Sequence, residues 1–221
     1  MVTKRKSGLY ERFIKRPMDI MLSLIGLIVL SPLLIVLVIL VKTKLGAPII
    51  FKQNRIGRNE KVFKLYKFRS MTNQKDQNGE LLPDNLRLTK FGKFLRSTSL
   101  DELPELFNIF IGNMSIVGPR PLVLQYLQYF NETERERHQV RPGLTGNAQV
   151  NGRNAIKWEE RFLLDVKYVQ NLSFINDLKI LIKTIKTVVN RENIGERNKN
   201  VAIDFDKYRI EQRRNQNESK G

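Results

Sequence analysis

The sequence predicts an α+β chain, mostly helical, in which a membrane-embedded N-terminal helix broken at its midpoint leads into one small globular domain. Three observations predict it. Residues 20–41 form a run of 22 residues without a charge, Ser31-Pro32 stands at the middle of that run, and the chain of 221 residues has room for one domain beyond it. The expected divisions are a basic N-terminus with the membrane helix (1–45), a domain (46–190) and a charged tail (191–221).

The apolar run, IMLSLIGLIVLSPLLIVLVILV, is long enough at about 1.5 Å per residue to cross a hydrocarbon core of about 30 Å. It is too long for a secretory signal, and no small-residue cleavage site follows. Lys4, Arg5, Lys6, Arg12, Lys15 and Arg16 precede it, and Lys42 and Lys44 follow. Basic flanks favour the cytoplasm, and a straight span satisfies only one of them. Pro32 cannot donate to the Ile28 carbonyl, so the helix kinks or breaks there, and the Ser31 hydroxyl is the candidate to satisfy the freed oxygen. On these grounds two topologies stand open, a kinked ordinary span and a re-entrant helix that enters and leaves by one face.

Beyond the run, Ala47 to Phe51 reads as extended and Val62 to Phe68 as a strand with a basic edge. Residues 73–85 are polar with Gly and Pro, a surface loop. Helices are expected over Leu100–Phe110, Leu122–Phe130 and Thr133–Val140, and the Gly- and Asn-rich run 141–153 reads as a loop. Thr89–Arg96 and Ile175–Val189 have amphipathic spacing that suits either a core helix or one lying on a membrane interface. The tail beyond Asn190 is charged and poor in apolar residues, and is expected to lack fixed structure.

Composition narrows the chemistry. The chain has no cysteine and one histidine, His138, which excludes disulfides, thiolate nucleophiles and Cys- or His-pair metal sites. What remains is carboxylates, cations, hydroxyls and a hard cation held by oxygen. The net charge of +17 favours a polyanionic partner. The basic residues are spread along the chain without a recognised DNA- or RNA-binding signature, so nucleic acid is not the expected partner. A membrane-tethered nucleic-acid binder and a non-catalytic bitopic scaffold are the competing classes.

The informative stretch is Arg96-Ser-Thr-Ser-Leu-Asp101-Glu102-Leu-Pro-Glu105. Pro104 is tolerated only in the first turn of a helix, which sets Asp101 and Glu102 at a helix N-terminus. There the macrodipole favours an ionised carboxylate or an arriving phosphate. The plainer reading is capping, by Asp101 or by a Ser99/Glu102 box. Lys67, Arg69, Arg96, Arg120, Arg141 and Arg153 lie in short Gly- or Pro-marked segments, and phosphoryl transfer needs cations of this kind. Arg120 stands between two prolines in Val-Gly-Pro-Arg-Pro, and no glycine-rich phosphate loop is present.

In order along the chain stand QNRIG (53–57), YKFRSM (66–71), RSTSLDELPELFN (96–108), GNMSIVGPRP (112–121) and RPGLTG…AQVNGRN (141–154). This set resembles the motifs of the bacterial sugar transferases, the small monotopic polyprenol-phosphate phosphoglycosyl transferases. Within them it looks most like the members acting on UDP-N,N'-diacetylbacillosamine. The resemblance implies transfer of a sugar 1-phosphate from a UDP-sugar to undecaprenyl phosphate, with release of UMP, through a covalent phosphosugar on Asp101. Glu102 matches the second member of a catalytic dyad, and Arg96, Arg120, Arg153 and Lys67 match basic positions near the phosphates. It further implies Mg²⁺ held partly by Asp101, a re-entrant helix broken at Ser31-Pro32, and residence in the bacterial inner membrane with both termini cytoplasmic. One departure is Asn147, where close relatives often carry Trp in Thr-Gly-x-Ala-Gln.

Overall fold

In the computed structural model, residues 7–152, 155–189 and 203–218 are described. A π-helical turn, Tyr10–Ile14, runs into α1 (Lys15–Val29) and then α2 (Ser31–Leu45). There follow β1 (Ile50–Ile56), β2 (Val62–Phe68), α3 (Asp84–Arg87), α4 (Lys90–Ser97), a 3₁₀ turn at Leu100–Glu102 and α5 (Glu105–Phe110). Next come β3 (Ser115–Val117), a 3₁₀ stretch Leu124–Tyr129, α6 (Glu132–Arg135), a 3₁₀ turn Glu136–Gln139, β4 (Gly143–Thr145) and α7 (Asn147–Val150). The longer helices α8 (Trp158–Gln170), α9 (Phe174–Val189) and α10 (Phe205–Glu218) complete the order. The sheets are small: β1 pairs antiparallel with β2, and β3 pairs parallel with β4.

The helix breaks where proline requires it. Leu30 leaves helical geometry at ψ 1°, Pro32 opens α2, and the two arms bend by 64°. The Ser31 hydroxyl donates to the Ile28 carbonyl at 2.7 Å, satisfying the acceptor that Pro32 cannot reach. No single helix among the described residues is long and apolar enough to cross a membrane, and this bent pair alone passes that test of length and composition. Around the bend Ile25, Ile28, Val29, Ile35, Val36 and Ile39 are exposed, with Val29 68% accessible.

Both arms are gripped at their bases. On α1, Lys15, Asp19 and Ser23 recur every four residues and are all buried, a polar stripe on a helix that is apolar over most of its length. Lys15 Nζ meets Asp177 Oδ2 of α9 at 2.5 Å, and Asp19 Oδ1 accepts the Ile116 amide of β3 at 3.0 Å. Leu27 and Leu30 pack on Phe63, Leu106 and Ile109. The end of α2 buries Leu37, Val41 and Leu45 against Phe68 and Leu95. A second, aromatic core gathers Tyr126, Phe130, Phe162 and Phe205 with Trp158 at its edge.

Several expectations change. The run 141–153, read as a loop, contains β4 and α7, because its backbone pairs with β3: the Ser115 amide donates to Pro142 O at 2.8 Å. The expected helices Leu122–Phe130 and Thr133–Val140 are largely 3₁₀. Part of the tail is ordered: α10 packs through Phe205, which is fully buried among aromatic rings, while 191–202 and 219–221 lie outside the described residues. On α9 one face is core, with Asp177 and Ile180 buried, and the other leaves Phe174, Ile175, Leu178, Ile182 and Ile185 exposed beside its lysines.

Candidate active site

Asp101 and Glu102 lie in the 3₁₀ turn that leads through Pro104 into α5. Neither capping arrangement forms. Ser99 sits in the left-handed region at φ 55° and makes no side-chain cap, Pro104 occupies the position before α5, and a capping box forms instead at Asn131/Glu134. The two carboxylates are thus free for other work. Strand β2 is set against α5 by the buried Asn108, whose Oδ1 accepts from the Tyr66 amide and whose Nδ2 donates to Lys64 O. This tie brings Lys67, the next residue but two from Lys64, onto the carboxylates.

Lys67 Nζ lies 2.6 Å from Glu102 Oε1 and 3.1 Å from Glu105 Oε1. Arg120 Nη2 reaches the same Glu102 oxygen at 2.7 Å. Burial by itself disfavours the Glu102 charge, but Arg120 and Lys67 overcome it and hold this carboxyl well below the usual range. Asp101, 9% accessible, has the opposite environment: burial and then the charge of Glu102 push its carboxyl up, against the pull of Lys67, Arg120 and Arg96. Its oxygens accept no hydrogen bond from the described residues. Glu102 is therefore neutralised in place, and Asp101 keeps its lone pairs beside three cations.

Arg96 is aimed by a close approach. A Cβ on Gly92 would fall 1.8 Å from Ser70 O, so only glycine lets α4 lie against the end of β2, where Arg96 Nε donates to Ser70 Oγ at 2.8 Å. The structure thus gathers Lys67, Arg96, Asp101, Glu102 and Arg120. Arg69 and Arg141 are placed elsewhere. Arg69 is buried and gives Nη1 to Ala47 O at 2.7 Å, just beyond the end of α2. Arg141 Nε donates to Gly112 O at 3.0 Å, and its charged neighbours are Arg16, Arg58, Asp19 and Glu11. Arg153 lies outside the described residues.

Two members of the site escaped the sequence reading. Glu105, 3% accessible, follows Asp101 by four residues and Glu102 by three, the spacing of one helix face. Arg55 of QNRIG holds Pro121 O through Nη1 at 3.2 Å and Gln53 Oε1 through Nη2 at 2.6 Å, within electrostatic reach of Arg120, Glu105 and Glu102. Asn147 ties α7 to α8 by donating to Leu164 O at 3.0 Å. It borders an open cleft of about 800 Å³, shared with Asn151, Lys167, Asn171 and Lys179, that includes none of the gathered residues.

A divalent cation fits here in one mode. No group of three His, Cys, Asp or Glu ligands occurs among the described residues, and both nearest cations already claim Glu102. The unengaged Asp101 carboxylate offers a single protein ligand, as Mg²⁺ accepts when phosphate oxygens and water supply the rest.

Burial, opposed by Lys67 and reinforced by Glu102, pushes Glu105 up from 4.5 to about 7. Between these values the unfolded chain is ionised at this residue while the folded one keeps its proton, so stability falls as pH rises through the window. Glu105→Gln is expected to flatten the decline of the unfolding midpoint from about pH 4.5 to pH 7 in detergent. An unchanged slope in thermal scans would refute the assignment.

Comparison with known proteins identifies the family. The family model described as bacterial sugar transferase matches residues 10–191. The uncharacterized sugar transferase EpsL of Bacillus subtilis is 47% identical over 192 residues, covering 87% of this chain and 95% of EpsL. The undecaprenyl-phosphate galactose phosphotransferase of Salmonella typhimurium is 41% identical over 199 residues, 82% of this chain and 42% of that protein. The UDP-glucose:undecaprenyl-phosphate glucose-1-phosphate transferase of Klebsiella pneumoniae is 42% identical over 181 residues, 77% of this chain and 39% of that protein. The chain thus spans nearly all of EpsL and less than half of the other two. It is an enzyme, and it belongs to the bacterial sugar transferase family.

Proposed function

We propose that the chain is a phosphoglycosyl transferase that moves a sugar 1-phosphate from a UDP-sugar to undecaprenyl phosphate in two displacements. The observation that carries this reading is the unengaged, buried carboxylate of Asp101 beside Lys67, Arg96 and Arg120. In the first step an Asp101 oxygen attacks the β-phosphorus of the donor. The bond from that phosphorus to the bridging oxygen breaks, UMP leaves with the electron pair, and Asp101 carries the phosphosugar. In the second step a phosphate oxygen of undecaprenyl phosphate attacks the same phosphorus, and the Asp101 carboxylate is released. The product is an undecaprenyl-diphosphate sugar, a lipid-borne starting unit for glycan assembly.

The residues divide the work. Arg120 and Lys67 hold Glu102 and present the rest of their positive charge to the diphosphate, where charge develops as UMP departs. Arg96, fixed by Ser70, adds a third cation. Asp101 is the residue that would hold Mg²⁺, which would supply further neutralising charge at the diphosphate. The activities for which the Salmonella and Klebsiella relatives are named support the acceptor and the group transferred. They concern galactose and glucose, whereas the motif set resembles enzymes of diacetylbacillosamine, an N-acetylated deoxy sugar.

The bent pair α1–α2 is read as a re-entrant hairpin in the bacterial inner membrane, with the domain and both termini on the cytoplasmic face. The exposed apolar bend, the basic residues at both bases and the exposed apolar face of α9 support it. An acceptor carried in the lipid and a donor dissolved in water would then meet at the interface.

Incubation with UDP-linked diacetylbacillosamine, galactose, glucose and N-acetylgalactosamine, with Mg²⁺ and undecaprenyl phosphate, is expected to release UMP with one of them. Asp101→Asn should abolish that release while the protein still purifies with membranes. Turnover near the normal rate in Asp101→Asn would remove the nucleophile assignment. For topology, the chain has no natural cysteine, so single cysteines at Ser7 and Lys44 report the two bases of the hairpin. Both are expected to react with an impermeant maleimide in inverted vesicles and neither in intact spheroplasts. Labelling from opposite sides would show a span.

A further inference from the structure

Arg120 is exposed, its side chain 46% accessible, and it projects from a loop rather than a helix or strand. Its aim therefore depends on how that loop is held. Pro119 and Pro121 fix their own φ angles, and a residue before proline is confined to extended geometry. The freedom left is the tilt of the peptide joining Arg120 to Pro121, which has a carbonyl and no N–H.

One side chain grips that carbonyl. Arg137 donates through Nη2 to Arg120 O at 2.8 Å. The same guanidinium is fixed from behind by Asp165 Oδ2, at 2.7 Å from Nη2 and 3.1 Å from Nε. The pair is interior, with side chains 1% and 2% accessible. The guanidinium also lies over the rings of Phe130 and Phe162, 5.8 and 5.6 Å from their centres. Behind the loop, among Pro119, Arg120, Arg137 and His138, is a cavity of about 10 Å³, no more than one water can fill. The loop has little room to tilt while this pair is in place.

A buried ion pair is a poor source of stability, since packed apolar side chains of equal volume often do as well or better. Stability is thus a weak reason for placing two charges under this loop. We propose that Arg137 and Asp165 are positioning residues that act through Arg120: they hold it by its own carbonyl and so keep its guanidinium on Glu102 and on the diphosphate of the donor. The proposal rests on the function assigned to the site above.

A double-mutant cycle tests it. Asp165→Asn, Arg120→Ala and the double variant are compared with the parent for UMP release with undecaprenyl phosphate, and for the dissociation constant of UDP. UDP carries the diphosphate without a sugar to transfer, so its binding can be read even where turnover is lost. Asp165→Asn is expected to lower kcat about tenfold or more, the scale of a misplaced catalytic group, and to weaken UDP binding. In the Arg120→Ala background the same change is expected to alter neither quantity. Equal losses in both backgrounds would overturn the proposal and leave a purely structural pair. If Asp165→Asn does not fold, Arg137→Lys gives the same comparison, because an ammonium keeps the charge but cannot hold both Asp165 and the Arg120 carbonyl in one plane. A parent that binds UDP but releases no UMP from any UDP-sugar would instead remove the functional reading.

Discussion

Asp177 ties together three donors from distant parts of the chain. Lys15 and Tyr10 reach its Oδ2 at 2.5 and 2.8 Å, and Tyr168 reaches its Oδ1 at 2.7 Å. The carboxylate is 1% accessible, so losing any partner would leave charge or a polar group unsatisfied in the interior. For an ion pair this buried, removal of one side costs about 3–5 kcal/mol. Through this cluster α1 is clamped to α9, and its next residue, Arg16, gives its guanidinium to the Ile109 and Phe110 carbonyls at 2.6 and 2.8 Å. Those carbonyls end α5, whose other end carries the carboxylates. The apolar hairpin and the turn carrying Asp101 and Glu102 are therefore tied into one packed unit.

Within that unit the two adjacent acids have different fates because their neighbours differ. Glu102 is claimed by Lys67 and Arg120, and it holds both cations in place by being claimed. Asp101 shares the same positive field without a direct bond, which leaves its oxygens unengaged by the described residues. A pair of acids in one turn thus separates into an anchor for cations and a carboxylate without a hydrogen-bonded partner among the described residues, the one proposed as nucleophile. Glu105 extends the arrangement as a second seat for Lys67.

Much of this was legible where one residue type forces the outcome. Pro32 dictates the break, and the Ser31 hydroxyl was the one local donor for the freed carbonyl. Val62–Phe68 showed as a strand, and it is β2 to the residue. Pro104 set Asp101 and Glu102 ahead of α5. What escaped depends on partners distant in sequence. Helix α8 was not foreseen, because its buried side includes Asp165 and Tyr168, which are polar until Arg137 and Asp177 satisfy them. Helix α10 has one deeply buried aromatic among its described side chains, Phe205, in an otherwise polar segment, and its other ties, Tyr208 to Glu159 and Arg209 to Glu134, are to residues distant in sequence. Arg141 carried the right charge for a phosphate site, but the pairing of β3 with the chain entering β4 sets it beside Gly112, near Arg16 and Arg58. Charge and motif could identify candidates for the site; only packing decides which of them converge.

The central claim is that Asp101 carries the phosphosugar between two half-reactions. It is tested most directly by the intact mass of the enzyme after mixing with its UDP-sugar and Mg²⁺ in the absence of polyprenol phosphate. The account predicts a mass increase of one phosphosugar, located on the peptide containing Asp101 and discharged when undecaprenyl phosphate is added. Product formation with both substrates, from an enzyme that never acquires that mass under rapid quench, would contradict it and indicate direct transfer in a single displacement.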